Sequence, residues 1–261
     1  MIRSLWTAAS GMAAQKLNMD VIANNLANVN TSGFKKSRSD FVDLLYQNLR
    51  SPGAETSDGG EIPTGIQIGM GTKPVSVQKI FTQGDYTRTG NELDIAIEGR
   101  GFFKIISNGE ELYTRGGSFK LDSEGYVVTS DGDRLDPEFS IPAETANLTL
   151  DAGGTLVAMA ADGATELATT QLTLHSFPNP AGLLSIGGNK FRPTGSSGDP
   201  IEGNPGVDGI GTVAQGYLEM SNVDVVEEMV NMIAGQRAYE ISSKAIKAAD
   251  EMLQMANNIK R

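Results

Sequence analysis

The sequence has no cysteine, one histidine and one tryptophan among its 261 residues. Without cysteine the chain forms no disulfide and offers no thiolate to a metal or substrate. A single histidine is too few for a histidine-rich metal site. No apolar run reaches the roughly 18 residues that a membrane-spanning helix needs. The N-terminal stretch also lacks the uninterrupted apolar region of a signal peptide, so we expect no cleaved signal.

Charge is unevenly distributed along the chain. The formal net charge is −11, and most of the excess negative charge falls on residues 51–216. A strongly acidic surface repels phosphate backbones and anionic lipid headgroups. The composition therefore argues against nucleic acid and against an anionic membrane as partners of this central region.

The C-terminal stretch Val223–Ile259 is predicted to be one long helix, interrupted only by Gly235. Its apolar residues recur at spacings of three and four, as on a helix that packs against other helices. Alanine and methionine dominate, so the stripe buries little area and should be weakly stable without partners. The apolar positions are Val223, Val226, Val230, Ala234, Ala238, Ile241, Ala245, Ala248, Met252, Met255 and Ile259.

A second helix is predicted at the N-terminus, where Leu5, Met12, Met19 and Leu26 recur every seven residues. This helix should be shorter than the C-terminal one by roughly 19 Å, so an antiparallel pair leaves part of the C-terminal stripe uncovered. A neighbouring copy of the chain is the simplest cover. The alternatives are the central domain or a further short helix, which the apolar spacing suggests over Ser39–Asn48.

Glycine and proline punctuate residues 51–71, where large apolar side chains are sparse. We expect a loop or extended arm, because such residues break helices and a structureless loop of this length is unusual inside a compact domain. Such an arm is either mobile or ordered against a neighbouring subunit. The residues that mark it are Pro52, Gly53, Pro63, Gly65 and Gly69.

Short strands separated by turn signals fill the middle of the chain, which is typical of a small barrel or sandwich. The predicted strands are Leu93–Ile97, Phe102–Ile106, Leu112–Thr114, Phe119–Leu121, Tyr126–Thr129, Leu148–Leu150, Thr155–Met159, Gln171–Phe177 and Lys190–Arg192.

The predicted fold class is therefore α+β. N- and C-terminal helices, discontinuous in sequence, form a coiled-coil domain, and an all-β domain is inserted between them. The expected segments are an N-terminal helical part (1–48), an arm and linker (49–90), a β domain (91–207), a return linker (208–221) and a C-terminal helix (222–261).

No catalytic arrangement of residues is recognisable. A phosphate-binding GxxxxGK[ST] loop is absent, and His175 lies in a predicted strand with no local triad partners. Asp131-Gly132-Asp133 lacks the downstream ligands of a calcium loop and is interpreted as a turn. We therefore expect a protein that is not an enzyme and that needs no metal or cofactor.

Polar side chains near the helices allow two interpretations. They are either solvated surface groups or contacts that set the register of a helical assembly by hydrogen bonding. The sequence leaves both open for Asn24, Asn25, Asn28, Gln236 and Arg237.

Four stretches resemble the bacterial flagellar rod and hook family of axial proteins. The Asn-rich N-terminal motif is the most specific of them. The stretches are Leu5–Met12, Asp20–Lys35, Gly90–Phe103 and Gly235–Glu240. Residues 46–71 are similar to the segment that distal rod members carry after the N-terminal helix, although a proximal rod paralogue or a hook subunit is an alternative.

The resemblance implies a structural subunit that polymerises into a helical tube and transmits torque from motor to hook. Its expected partners are further copies of itself, proximal rod proteins, the hook protein, the P-ring and L-ring proteins and the flagellar type III export apparatus. The expected location is the basal-body rod that crosses the periplasm. The expected packing contacts between subunits are Leu5, Met12, Met19, Leu26, Ile241, Met252, Met255 and Ile259.

One alternative belongs to another class. The β domain could be a secreted binding module for a glycan or protein, with the helices as an oligomerisation stalk. The adjacent aromatic residues Phe102 and Phe103 are its only support, and they are explained equally by a hydrophobic core.

Overall fold

The computed structural model describes residues 2–53, 63–162 and 165–259. The chain divides into two compact units. The first contains the described residues of Met1–Leu26, Ser37–Gln78 and Val225–Arg261, and the second contains those of Ala27–Lys36 and Lys79–Asp224. The first unit is assembled from three separate stretches of sequence, and helices occur beside many strands, which confirms the α+β class.

Two helices belong to the first unit: α1 (Ile2–Ala27) and α2 (Val225–Ile259). Both were predicted, with ends that differ by two or three residues. Glu227 and Glu228 occupy the first turn of α2, where carboxylates interact favourably with the helix dipole. Val223 precedes α2 and is buried, so it does not belong to the helical stripe. Neither helix has the length and apolarity needed to cross a membrane, as far as the described residues extend.

The first unit also contains two antiparallel strand pairs, and here the predicted Ser39–Asn48 helix is wrong. The strands are β1 (Ser37–Asp43), β2 (Tyr46–Arg50), β3 (Ile66–Gly69) and β4 (Thr72–Lys79). β1 pairs with β4, and β2 with β3. A short apolar spacing fits helix and strand alike, and pairing with strands further along the chain decides the outcome. The predicted arm thus contains a paired strand, and its residues 54–62 lie outside the described part.

The second unit holds the remaining strands. They are β5 (Tyr86–Arg88), β6 (Ile95–Glu98), β7 (Phe103–Ser107), β8 (Glu110–Thr114), β9 (Phe119–Leu121), β10 (Val127–Thr129), β11 (Arg134–Asp136), β12 (Thr145–Leu150), β13 (Thr155–Ala160), β14 (Glu166–Gln171), β15 (Leu174–Ser176), β16 (Leu184–Gly187), β17 (Lys190–Arg192), β18 (Ile201–Gly203), β19 (Thr212–Gln215) and β20 (Tyr217–Glu219).

These strands form one large sheet, one small sheet and three pairs. The large sheet has the order β16-β17-β8-β7-β11-β10-β9, and the small one the order β12-β13-β14. β15 pairs with β18, β19 with β6, and β20 with β5. The pairing of β20 with β5 brings the return segment before α2 back to the beginning of the β region.

Most predicted strands are present, and two of them, β9 and β17, have the predicted bounds. The predicted strand Gln171–Phe177 is wrong as a single element, because β14 ends at Gln171 and β15 begins at Leu174. The hairpin predicted at Asn108-Gly109 joins β7 to β8, where both residues have positive φ angles of 51° and 82°.

Two apolar clusters form the core of the second unit. The larger contains Phe103, Ile105 and Phe119, each at most 1% exposed. The smaller is aromatic, and in it Phe102 packs edge-on against Phe177 with ring centroids 5.6 Å apart. Phe102 and Phe103 are both core residues, which removes the observation that favoured a binding module.

Candidate functional site

The two helices of the first unit run antiparallel in close contact. A Cβ added to Gly11 would lie 3.6 Å from Ser242 Oγ, and one added to Gly235 would lie 3.4 Å from Met19 Cγ. As the position in α1 rises from Gly11 to Met19, the contacted position in α2 falls from Ser242 to Gly235, which is the order of an antiparallel pair. Glycine at these positions lets the helix backbones approach closely.

Small side chains lie on the face of α2 that contacts α1. Gly235, Ser242 and Ala249 recur every seven residues, and Ala249 is 1% exposed. Half-buried Met232, Ile246 and Leu253 lie three or four positions from these residues, on the same side of α2. On α1 the buried apolar residues are Ala14 and Ile22.

Further apolar residues of α2 lie in the neighbouring register and are exposed. Ala234, Ile241 and Ala248 each precede a contact residue by one position, a rotation of about 100° around the helix. Ile241 is 67% exposed, Val230 59% and Met255 58%. We call Val230, Ile241, Met252 and Met255 the exposed α2 stripe. Val226, Met229 and Ile233 are also exposed.

Other residues expected to pack between subunits have intermediate exposure. Leu5, Met12, Met19 and Leu26 are half-buried on α1, and Met19 contributes to the contact with α2 at Gly235. Ile259 ends α2, and its side chain lies outside the described residues.

Asn25 links three elements of the first unit by hydrogen bonds. It is buried, its Oδ1 accepts a hydrogen bond from Ser37 N at 2.9 Å, and its Nδ2 donates to Ser37 O at 2.9 Å and to Glu228 Oε2 at 3.2 Å. One amide thereby ties the end of α1 to the start of β1 and to the first turn of α2. Its hydrogen bonds set the register of elements inside one chain.

The other candidate register residues are more open. Asn24, Gln236 and Arg237 are exposed, whereas Asn28 is half-buried and its Oδ1 accepts a hydrogen bond from Thr31 Oγ1 at 3.2 Å. Gln236 and Arg237 follow Gly235 directly and therefore point away from the contact face of α2.

The paired strands β2 and β3 present an apolar surface. Leu45, Tyr46, Leu49 and Ile66 are each more than half exposed. Among the residues that marked the arm, Pro52, Gly53 and Pro63 are exposed, and Gly65 and Gly69 are half-buried. A Cβ on Gly65 would lie 2.5 Å from the carbonyl oxygen of Arg50, so this close approach of the two strand ends requires glycine.

A buried cluster of three charges lies in the second unit. The Glu219 carboxylate accepts from Lys35 Nζ at 2.6 Å through Oε1 and from Arg115 Nε at 3.0 Å through Oε2. The three side chains are at most 4% exposed. Both cations make further hydrogen bonds, since Lys35 donates to Thr82 O and Arg115 to Gly99 O and Gly101 O.

The cluster places two cations around one anion. Burial lowers the pKa of Lys35 from its ordinary value of 10.5, and the Glu219 carboxylate opposes that shift. Backbone contacts complete the cluster, as Gly33 N donates to Glu219 O at 2.8 Å and Gly84 N to Glu219 Oε1 at 3.1 Å. The cluster anchors the end of the N-terminal motif to β20.

Sequence reasoning missed this cluster. Lys35 and Glu219 are 184 positions apart, and neither stands in a local pattern that indicates its partner. The one local signal is Arg115. It directly follows strand β8, whose last three residues are buried, and precedes two glycines, so a charged residue stands next to the core.

The residues considered for chemistry are structural where they are described. His175 is 4% exposed in β15, as expected of a structural histidine, and its ring lies 5.4 Å from that of Tyr113. Burial lowers its pKa below the ordinary 6.5. In the parts of the chain that the structure describes, no group of three or more His, Asp or Glu is arranged to hold a metal ion.

Three family models match this chain. "Flagella basal body rod protein" matches residues 5–35, "Flagellar hook protein FlgE/F/G D1 domain" residues 96–158, and "Flagellar basal body rod FlgEFG protein C-terminal" residues 214–259. Lys35, Arg115 and Glu219 each fall in a different one of these segments. The buried charge cluster therefore joins the three matched parts.

Several relatives matched over their full length share one name. The chain is 49% identical over 265 residues to "Flagellar basal-body rod protein FlgG" of Borreliella burgdorferi, covering 100% of both chains. It is 46% identical over 261 residues to the protein of that name from Buchnera aphidicola subsp. Schizaphis graminum and 45% over 262 residues to that from Caulobacter vibrioides, covering 99% of this chain and 100% of each relative.

Proposed function

The chain belongs to the FlgG family of flagellar basal-body rod proteins and is a structural subunit of the distal rod, and we propose that it polymerises through the exposed α2 stripe. Membership of this family supports self-assembly and association with other rod and hook components. The observation that carries the proposal is the register of α2. Its contact with α1 includes the small side chains at Gly235, Ser242 and Ala249, and large apolar side chains such as Ile241 and Met255 remain exposed.

Exposed apolar side chains that repeat along a helix are typical of a surface that other helices cover. Each copy would offer α2 to the helices of its neighbours, and α1 would contribute Leu5, Met12, Met19 and Leu26 from its half-buried side. A contact between unlike surfaces that does not close into a ring produces a helical polymer. The helices would then form an inner coiled-coil tube, and the β-rich unit, as an inserted barrel or sandwich, an outer layer.

A tube of this kind serves as the drive shaft of the flagellum. The proposed shaft crosses the periplasm, passes through the P and L rings, and receives its subunits from the type III export apparatus. Asn24, Asn28, Gln236 and Arg237 would set the register between neighbouring subunits by hydrogen bonding, while Asn25 sets it within each subunit. The acidic central region suits protein partners better than membrane or nucleic acid.

The arm that includes β2 and β3 would bridge neighbouring subunits and stiffen the shaft. Its support is the exposed apolar surface of Leu45, Tyr46, Leu49 and Ile66. Deleting residues 52–68 should give a more bendable or misassembled rod, visible in electron micrographs of purified basal bodies. A deletion variant with an unchanged rod would count against this role.

The stripe is tested by a matched pair of substitutions on α2. Ile241→Glu places a charge on the exposed α2 stripe, and Lys247→Gln alters net charge by the same amount at an exposed position on the polar side of α2. We expect Ile241→Glu to lower polymerisation of the purified chain at least about tenfold, since a buried unpaired charge is costly. Lys247→Gln should polymerise like the unsubstituted chain. Equal behaviour of the two variants would refute the proposal.

A further inference from the structure

The methionines of this chain are unevenly exposed. The sequence has ten methionines and no cysteine, so thioethers are its only sulfur groups. Nine of the ten are described. Three of these are exposed, Met229 at 51%, Met252 at 45% and Met255 at 58%. The other six are half-buried: Met12, Met19, Met70, Met159, Met220 and Met232.

All three exposed methionines lie on α2. Met252 and Met255 belong to the exposed α2 stripe and are one turn apart, so their side chains are neighbours on one face. Met229 is rotated by about 100° from Val230 around the helix and lies outside the exposed α2 stripe. Two of the three exposed sulfur atoms are therefore placed on the surface through which subunits are proposed to assemble.

We propose that Met252 and Met255 are a modification site at which a hydroperoxide oxidises the free subunit and blocks its assembly. The inference rests on the proposed function of the α2 stripe. The sulfur lone pair attacks one oxygen of the peroxide, an S–O bond forms as the O–O bond breaks, and a proton passes to the departing oxygen. Sulfur loses two electrons, and hydrogen peroxide is reduced to water.

The product explains the block. A sulfoxide oxygen is a strong hydrogen-bond acceptor, and a thioether is close to apolar. On the free subunit the new oxygen stays hydrated, so folding is little affected. Between packed helices it loses water without a donor to replace it, which disfavours the assembled state.

The same geometry predicts protection after assembly. Once neighbouring helices cover the stripe, peroxide no longer reaches these sulfurs, so finished polymer should resist a dose that inactivates free subunits. Half-buried methionines in the β-rich unit, such as Met159 and Met220, should react at similar rates in both states.

The test uses the full purified chain, hydrogen peroxide, peptide mass spectrometry and light scattering. In free subunits, sulfoxide should form several-fold faster at Met252 and Met255 than at Met159 and Met220, and polymerisation should fall in parallel. Methionine sulfoxide reductase should restore polymerisation. The variant Met252→Leu, Met255→Leu keeps apolar volume and should polymerise after oxidation, whereas Met159→Leu, Met220→Leu should remain sensitive.

Failure of this inference can be told from failure of the proposed function. If untreated chain polymerises and oxidised chain polymerises equally well, the modification proposal is wrong and the stripe proposal stands. A Met252→Leu, Met255→Leu variant as sensitive as the unsubstituted chain would also overturn it. Polymerisation that fails without oxidant, together with equal results for Ile241→Glu and Lys247→Gln, would count against the stripe itself.

Discussion

Lys35 Nζ lies 2.6 Å from Glu219 Oε1, and both side chains are at most 1% exposed. The pair joins the last residue of the N-terminal motif to the last residue of β20, six positions before α2 begins. Because Arg115 binds the other carboxylate oxygen, one glutamate holds together three distant parts of the sequence.

Replacing this glutamate should be severely destabilising. Glu219→Gln keeps the shape of the side chain but leaves two buried cations without an anion. Removal of one member of a buried ion pair typically lowers the free energy of unfolding by about 3–5 kcal/mol. Urea unfolding of the purified chain measures the loss.

The matched control is an exposed pair. Glu110 binds Arg192 with side chains 61% and 47% exposed. Glu110→Gln should change stability by no more than about 1 kcal/mol, because solvent screens such pairs. A Glu219→Gln chain as stable as the Glu110→Gln chain would show that the buried cluster does not secure the fold.

Buried His175 predicts a pH dependence. Burial lowers its pKa in the folded chain below the ordinary 6.5. As pH falls through 6.5 the unfolded chain therefore gains a proton that the folded chain does not, and the free energy of unfolding declines by up to about 1.4 kcal/mol per pH unit until the folded pKa is reached. Unfolding measured between pH 7.5 and about 5.5 reports this slope.

His175→Gln isolates the effect, because glutamine does not titrate. Its unfolding free energy should depend less steeply on pH in that window, whatever its absolute stability. Parallel curves for the two chains would mean that the imidazole is protonated as easily in the folded state as in the unfolded one.

Gly65 is expected to be irreplaceable in the β2–β3 pair. Its added Cβ would lie 2.5 Å from Arg50 O and 2.7 Å from Pro52 Cδ, and a backbone atom has little freedom to move away. Gly65→Ala should therefore open the pair and raise amide exchange several-fold across Tyr46–Arg50. Gly195→Ala is the control, with nothing within 4 Å of its Cβ. Unchanged exchange in Gly65→Ala would mean that the β2–β3 pair accommodates the added methyl group without weakening its hydrogen bonds.

Periodic patterns made much of the fold predictable. The recurrence of Leu5, Met12, Met19 and Leu26 every seven residues predicted α1, and Asn108-Gly109 predicted the β7–β8 hairpin. Such signals are local, so a single sequence displays them. β1 and β2 were mistaken for a helix because their pairing with β4 and β3 depends on residues far along the chain.

Only part of the candidate site could be predicted from such sequence patterns. The apolar register through Ile241 could be identified, but the contact with α1 uses the adjacent register of Gly235, Ser242 and Ala249, whose small side chains do not stand out in a hydrophobic pattern. The partnership of Lys35 with Glu219 arises from folding across 184 positions, and no spacing rule indicates it.

Photo-crosslinking from the exposed α2 stripe tests the central claim most directly. A benzophenone amino acid at Ile241, which is 67% exposed, should react in assembled basal bodies with the terminal helices of a second copy. The expected product is a two-chain adduct whose crosslink maps by mass spectrometry to α1 or α2 of the neighbour. Rods that assemble normally and yield only crosslinks within one chain, or none, would contradict the account.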